Sequence, residues 1–260
     1  DRITKENAFP KIITIPTTAG TGAETEITAM VTHLEKGMKF CIWHPDVRPI
    51  FTLVDPELTL ELPPKLTAWT GVDALVHSIE GYCVPGFHPL CDGAALESLN
   101  LISKSLVLAV EEPNNLLARG AMIIGSYLGG ISFLKGLGNV HSISHMVGAE
   151  FNTHHGLTNA IVLPPVLHFN LPGMDEKVQR MSEAMQFENH TVNEFTQNIG
   201  EDFAKSLRDF ENLKYLDFSF NIQEGFDPSI QIESVSKLKE YDDGALFNQL
   251  NLISQDSKTT

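Results

Sequence analysis

The chain has 260 residues, of which 42% are hydrophobic and 20% charged, a composition typical of a globular protein with an ample core. Acidic side chains outnumber basic ones by 33 to 18, giving a formal charge of −15. A field of this sign repels phosphate backbones and anionic lipid, so we expect no nucleic-acid partner and no membrane partner. It does not exclude a nucleotide cofactor, because backbone amides can hold a phosphate.

The sequence shows no targeting segment. No apolar run approaches the roughly 20 residues of a membrane-spanning helix, and residues 1–7, DRITKEN, lack the apolar stretch of a secretory signal. The three cysteines, Cys41, Cys83 and Cys91, are an odd number without paired spacing. We therefore expect a cytoplasmic protein without disulfide bonds.

The first part of the chain is typical of an α/β fold. Four short β-branched or apolar runs predict strands at residues 11–16, 29–32, 39–43 and 50–54. The first run leads into residues 17–24, TTAGTGAE. A strand followed by a turn rich in Gly and Thr can bring backbone N–H groups to a phosphate, but a plain strand-to-helix turn has the same local pattern.

From about residue 65 the apolar residues recur at helical spacing, which predicts a series of helices extending to about residue 212. Gly and Pro are expected between the helices, including the pair Pro164-Pro165. The tail beyond Asn221 is polar and weakly periodic, with one candidate helix at residues 231–241. We predict two domains, a partial α/β domain over residues 1–64 and an α-helical domain over residues 65–260.

Histidines and one aspartate cluster in the helical part. Asp73 and His77 are four residues apart, so their side chains project from one helix face, and His141 and His145 repeat the spacing. Residues 154–156, HHG, follow at a predicted turn. One such pair alone is more often a coincidence or a hydrogen-bonded core pair. Two pairs and a histidine-rich turn favour a first-row divalent metal, which takes carboxylate and imidazole ligands.

These motifs resemble a known family. Residues 71–82, GVDALVHSIEGY, are similar to the first signature of the iron-containing (group III) alcohol dehydrogenases. Residues 138–148, GNVHSISHMVG, followed by residues 155–160, HGLTNA, are similar to the second, and residues 17–24 resemble the family's cofactor turn. The glycine-rich first half of the family's nucleotide domain has no counterpart here. The resemblance thus implies an α/β remnant of a Rossmann-like dinucleotide-binding domain, followed by an all-α metal-binding domain.

The resemblance also implies a role for particular residues. His145 would lie beside the nicotinamide, not as a ligand but as the catalytic residue, with a role in proton relay or in positioning. His155 is preferred to His154 as a ligand because it directly precedes the glycine. The four implied metal ligands are Asp73, His77, His141 and His155. The implied cofactor-binding residues are Thr17, Thr18, Gly20, Thr21, Gly22 and Lys39.

The implied activity is hydride transfer between a small primary or secondary alcohol, or a diol, and NAD or NADP. The family name implies Fe(II), with Zn(II) as the alternative, and relatives are commonly homo-oligomers, dimers among them. An aliphatic substrate is favoured by the apolar residues expected at the pocket, Phe133, Leu137, Phe151 and Leu163. Two alternatives stay open: a catalytically impaired metal-binding remnant, and a metallohydrolase in which the same ligands activate water.

Overall fold

Two small sheets and seven α-helices make up the part of the chain that the computed structural model describes, residues 10–33, 38–151 and 153–208. The candidate helix at residues 231–241 lies outside these residues. The division into domains of residues 1–64 and 65–260 stays a prediction.

The strands lie within or close to the predicted runs. β1 (Ile13–Thr14) pairs in parallel with β4 (Phe51–Thr52). β2 (Thr28–His33) pairs antiparallel with β3 (Met38–Trp43), and Thr28 stands opposite Trp43. Between β1 and β2 the chain makes the predicted turn and then one short 3₁₀ turn, Ala23–Thr25.

Helices follow one another with short connections, as the apolar spacing predicts. Their bounds are α1 (Pro64–Cys83), α2 (Pro89–Glu111), α3 (Leu116–Ser132), α4 (Asn139–Phe151), α5 (His155–Asn170), α6 (Asp175–Met185) and α7 (Val192–Arg208). Helices α1, α2 and α3 pack on one another, and α5 lies against α1, α4 and α7.

Helix α1 is the centre of this packing, since every residue from 71 to 82 is buried. Small residues let the neighbouring helices approach closely. A Cβ added at Gly71 would clash with Leu106 of α2, and one added at Gly81 would lie 2.7 Å from Ser132 Oγ of α3. A helix enclosed in this way cannot expose a charged side chain to water, so any charge on it needs a partner inside the protein.

The predicted break at Pro164 and Pro165 is wrong, because both prolines lie inside α5. An interior proline removes one helical hydrogen bond and costs about 3 kcal/mol. Leu163, Val166 and Leu167 on either side of the pair are buried, and α5 packs against three other helices. Tertiary packing outweighs the local cost.

A second expectation, that no segment could cross a membrane, needs correction. By length and composition, α2 and residues Leu116–Lys135 are apolar enough to do so. The expectation considered unbroken apolar runs, which single Gly, Ser and Lys residues interrupt. The finding is weak evidence for a membrane span, because core helices pass the same test. Both helices pack on α1, and Leu99 and Ile102 of α2 are fully buried.

Candidate metal centre

Three imidazoles converge on one carboxylate oxygen. Asp73 Oδ1 lies 3.7 Å from the Nε2 atom of His77, 3.4 Å from that of His141 and 3.3 Å from that of His155. The potential ligand atoms of Asp73, His141 and His155 all lie within 4.8 Å of one another. Ligand atoms that are about 2.0–2.2 Å from a tetrahedral metal are about 3.3–3.6 Å apart. The spacing of Asp73, His141 and His155 therefore fits a first-row divalent cation. His77 is not part of this three-residue group, and its Nε2 atom is the farthest of the three from Asp73 Oδ1.

These side chains come from three helices. Asp73 and His77 lie one turn apart on α1, His141 lies in the first turn of α4, and His155 is the first residue of α5. The rings of His77 and His141 stack with their centroids 4.5 Å apart. The shared helix face of the first pair follows from its spacing, whereas the approach of α4 and α5 depends on tertiary packing.

The charges in the cluster compensate one another. Burial raises the pKa of Asp73, but His77, His141 and His155 outweigh burial and hold this pKa well below its usual value. Burial lowers the pKa of His77 to about 4, although Asp73 opposes the shift. This imidazole is therefore neutral at pH 7 and offers a lone pair.

His141 behaves in the opposite way to His77. Burial lowers its pKa, but hydrogen bonds and charges from Asp73 and Glu80 outweigh burial and raise the pKa to about 9. The proton on His141 thus compensates two buried carboxylates. A divalent cation can take over this compensation, and metal binding to such a site releases protons.

Glu80, which the sequence analysis missed, orients His141. Its Oε2 accepts a hydrogen bond from His141 Nδ1 at 2.7 Å, and its Oε1 accepts one from the backbone N–H of Val140 at 2.7 Å. With Nδ1 bound to Glu80, Nε2 of His141 faces Asp73, the arrangement that carboxylates impose on metal-binding histidines. The carboxylate also sits at the N-terminus of α4, where the helix dipole favours negative charge.

Asn159 was missed as well. Its Nδ2 donates a hydrogen bond to Asp73 Oδ1 at 2.7 Å, and the same atom lies 3.4 Å from His141 Nε2 and 3.3 Å from His155 Nε2. A sequence signal for it exists, because Asn159 follows His155 by four residues and shares its face of α5.

His145 lies at the rim of the cluster. Its ring stacks on that of His155 with centroids 5.0 Å apart, and its centroid is 5.9 Å from that of His141. The side chain is exposed, unlike His141 one helical turn before it. The structure therefore places His145 beside the converging ligand atoms, with access to solvent.

His154 packs on α1 through Trp69, and no ion pair or hydrogen bond to Asp73 is found for it among the described residues. Its ring lies 4.5 Å from that of Trp69, centroid to centroid, and burial lowers its pKa. It precedes the first residue of α5, so the predicted turn ends at this residue. Of the two adjacent histidines, the structure brings His155 to Asp73.

The predicted cofactor turn packs directly on α1, which carries Asp73 and His77, and on α3. A Cβ added at Gly20 would lie 2.7 Å from Thr70 Cβ of α1. Gly22 has a φ of 63°, and a Cβ there would lie 2.8 Å from Gly130 Cα of α3. Both glycines are therefore required for packing, and their role in cofactor approach stays a prediction.

Side chains of the turn differ in their exposure. Thr17 and Thr21 are exposed and Thr18 is half-buried, so all three have surface available to a ligand. Lys39 lies in β3, but its side chain is outside the part of the chain that the structure describes.

The residues expected to line a substrate pocket are not equivalent. Phe133 contacts the cluster, with its ring centroid 4.6 Å from that of His77. Leu137 is exposed and Phe151 half-buried. Leu163 is buried in the helical core and cannot line an open pocket without a rearrangement.

Comparison with family models identifies the class of protein. The model described as Fe-containing alcohol dehydrogenase family, C-terminal, matches residues 67–224. A second model, iron-containing alcohol dehydrogenase, matches residues 1–56. The chain therefore belongs to the iron-containing alcohol dehydrogenase family, which confirms the resemblance noted in the sequence.

Individual relatives agree with this assignment. The chain is 38% identical over 181 residues to the NAD-dependent methanol dehydrogenase of Bacillus methanolicus, covering 69% of this chain and 48% of that protein. It is 39% identical over 175 residues to the lactaldehyde reductase of Escherichia coli (strain K12), covering 67% and 45%. The chain thus spans about half the length of the curated relatives it matches.

A solved structure of 1,3-propanediol oxidoreductase has a similar fold. The match has a TM-score of 0.72 at 33% identity and covers 78% of this chain and 54% of that chain. The predicted fold class, a Rossmann-like α/β remnant followed by an all-α domain, is thereby confirmed.

Proposed function

We propose that this chain provides the metal-binding helices and part of the cofactor site of a metal-dependent alcohol dehydrogenase or aldehyde reductase. The reaction transfers a hydride between a small primary or secondary alcohol, or a diol, and NAD or NADP. The observation that carries the proposal is the convergence of His77, His141 and His155 on Asp73 in a member of this family. The names of the relatives, which specify methanol, lactaldehyde and 1,3-propanediol, support the substrate class.

The proposed ligands of the cation are Asp73, His77, His141 and His155. Three nitrogens and one oxygen suit both Fe(II) and Zn(II), and the family name favours Fe(II). A bound divalent cation supplies Lewis-acid polarisation of the alcohol or aldehyde oxygen, while the nicotinamide cofactor carries the hydride. Glu80 contributes by keeping Nε2 of His141 directed at Asp73.

His145 is the proposed proton relay. It is exposed and stacks on His155, so its imidazole adjoins the ligand cluster and also reaches solvent. Imidazole gains and loses a proton near neutral pH, which suits transfer of the hydroxyl proton between substrate and water.

One residue of the proposed cofactor turn, Gly20, packs against the helix that carries Asp73 and His77. The turn rests on Thr70, three residues before Asp73 on α1. This proximity supports the assignment of cofactor binding to Thr17, Thr18, Gly20, Thr21, Gly22 and Lys39. The dependence of the methanol dehydrogenase on NAD favours NAD.

The proposal includes a cytoplasmic homo-oligomer, such as a homodimer, without nucleic-acid or membrane partners. Cys41, Cys83 and Cys91 are all free, which agrees with a reducing compartment. Size-exclusion chromatography with light scattering measures the oligomeric state directly.

The principal test uses the full 260-residue chain. We would load it anaerobically with Fe(II), and separately with Zn(II), and determine metal content by elemental analysis. NADH binding is then followed by fluorescence, and NADH oxidation by absorbance after addition of a small aldehyde. We expect metal binding, NADH binding and oxidation.

Other outcomes separate the alternatives. Metal binding without NADH oxidation would favour the impaired metal-binding remnant. Hydrolysis of an ester by the loaded protein, with no oxidation of NADH, would favour the metallohydrolase. A chain that binds neither metal would refute the proposed site.

The role of His145 needs a separate variant. We expect His145→Ala to lower turnover by about 100-fold or more, within the range of general acid–base catalysis, and to leave metal content unchanged. Met146→Ala, an exposed neighbour on α4, is the matched control and should retain turnover. A parallel loss of metal in His145→Ala would make this histidine a ligand and contradict the proton-relay role.

A further inference from the structure

Asn159 contacts the metal cluster although it is not among the proposed ligands. Its Nδ2 lies 2.7 Å from Asp73 Oδ1, closer than any of the three imidazoles, which lie 3.3–3.7 Å from the same oxygen. That nitrogen is also within 3.4 Å of the Nε2 atoms of His141 and His155. The amide therefore contacts ligands from α1, α4 and α5 at once.

Burial makes the hydrogen bond to Asp73 irreplaceable by water. Asn159 is 0% exposed and Asp73 only 4% exposed, so no solvent competes for either group. A hydrogen bond to an ionised carboxylate is stronger than one between neutral groups. It restricts rotation of the carboxylate and keeps Oδ1 directed toward the imidazoles.

The carbonyl oxygen of Asn159 also indicates that the amide is held by its contact with Asp73. Among the residues that the structure describes, Asn159 Oδ1 is buried without a hydrogen-bond partner. A buried amide with a purely structural role is expected to have both ends paired, because an unpaired acceptor costs free energy. The orientation of this side chain is thus fixed by its Nδ2 contact with Asp73.

The neutrality of the amide suits a cation site. A lysine in this position would supply a positive charge and compete with the metal for Asp73. An amide donates a hydrogen bond and leaves the negative charge of the carboxylate to be compensated by His141 or by a cation.

We propose that Asn159 is a positioning residue that orients Asp73 in the metal centre and thereby sets the affinity for the cation. The inference rests on the proposed metal centre and adds a residue that acts through Asp73 without binding the metal itself. Loss of an outer partner of a metal ligand typically weakens binding by about 10–100-fold.

The test compares wild-type protein with Asn159→Leu, a variant of similar size without a donor. Co(II) is the probe, because its visible absorption reports coordination number and geometry as well as occupancy. We expect Asn159→Leu to bind Co(II) about 10–100-fold more weakly. The absorption intensity of the saturated variant should indicate the same coordination number as in the wild type, because the ligands are unchanged. Should the leucine impair folding, Asn159→Ala replaces it in the same measurement.

A matched control and three outcomes complete the design. Leu163→Ala removes a buried side chain one turn further along the same face of α5, and should lower thermal stability while preserving Co(II) affinity. Wild-type affinity in the Asn159 variants would overturn the inference, and so would a lower or higher coordination number, which would make Asn159 a ligand. If wild-type protein fails to bind Co(II), or Asp73→Asn binds it equally well, the metal centre itself is refuted together with the role of Asn159.

Discussion

The strand-containing part, residues 10–52, and the helical part, residues 64–208, bury their apolar side chains to very different extents. Ile13, Trp43 and Phe51 of the strands are 63%, 64% and 57% exposed, whereas α1 is buried throughout residues 71–82. Parallel strands such as β1 and β4 are normally covered on both faces. The described helical part therefore encloses a core around α1, although Phe87, Leu90 and Leu117 on its surface are exposed, whereas the strands leave apolar side chains exposed without such a core.

The two parts contribute differently to the proposed function, since one provides the metal ligands and the other the cofactor contacts. The proposed ligands come from α1, α4 and α5, and the proposed cofactor contacts come from the strand part. Burial and the charge of Asp73 both raise the pKa of Glu26, so this one residue of the strand part is close to the cluster. Metal binding should depend mainly on the helical core, while cofactor binding should depend on how the strand part is held against it. The two properties should respond separately to substitution.

The largest expected effect is the loss of metal in Asp73→Asn. This change keeps the size of the side chain but removes the charge that the three imidazoles face. Since loss of an outer partner already costs about 10–100-fold in affinity, loss of this ligand should cost more than about 100-fold. Titration with Co(II) or Zn(II) measures the effect.

Thr21→Ala is the control from the strand part, because Thr21 is exposed in the cofactor turn. It should leave metal affinity unchanged and weaken NADH binding. A comparable loss of metal in Thr21→Ala would show that the cluster depends on the turn, and the division between the two parts would fail.

A smaller effect is expected for Glu80→Gln. Glutamine preserves the shape of the side chain, but it is a weaker acceptor for His141 Nδ1 and removes the charge at the N-terminus of α4. We expect metal affinity to fall by about 10–100-fold, with NADH binding to the turn unaffected. Glu97→Gln, an exposed glutamate on α2, should change neither property. Unchanged metal affinity in Glu80→Gln would contradict the orienting role.

Part of the site could be predicted from helix geometry. Asp73 and His77 share a face because four-residue spacing has this consequence in any helix. That α4 and α5 bring His141 and His155 to the same carboxylate does not follow from spacing, because it depends on which helices face each other. The family resemblance supplied this information, and the family itself is now established.

Other features of the fold and the site could not be predicted without the three-dimensional structure. Glu80 lies two turns beyond Asp73 and Asn159 one turn beyond His155, but in the sequence both are ordinary polar residues within apolar helices. Pro164 and Pro165 suggested a break because local propensity ignores the helices that enclose α5. The exposure of Ile13 and Phe51 could not be predicted either, since apolar strands are usually buried.

The smallest expected effect on metal affinity is that of Gly22→Ala, which affects the contact between the two parts. A side chain at the φ of 63° is strained, and its Cβ would approach Gly130 Cα of α3 to 2.8 Å. We expect the free energy of unfolding to fall by about 1–3 kcal/mol and NADH binding to weaken. Metal affinity should stay within about twofold of wild type, because the Cβ would meet Ser126 and Gly130 of α3, which are not proposed ligands. Gly93→Ala is the control, since a Cβ there meets nothing within 4 Å. Chemical denaturation and metal titration on the same samples measure stability and metal affinity. If Gly22→Ala weakens metal binding as strongly as NADH binding, the turn and the metal cluster form a single unit. The difference between the two parts would then have no functional consequence.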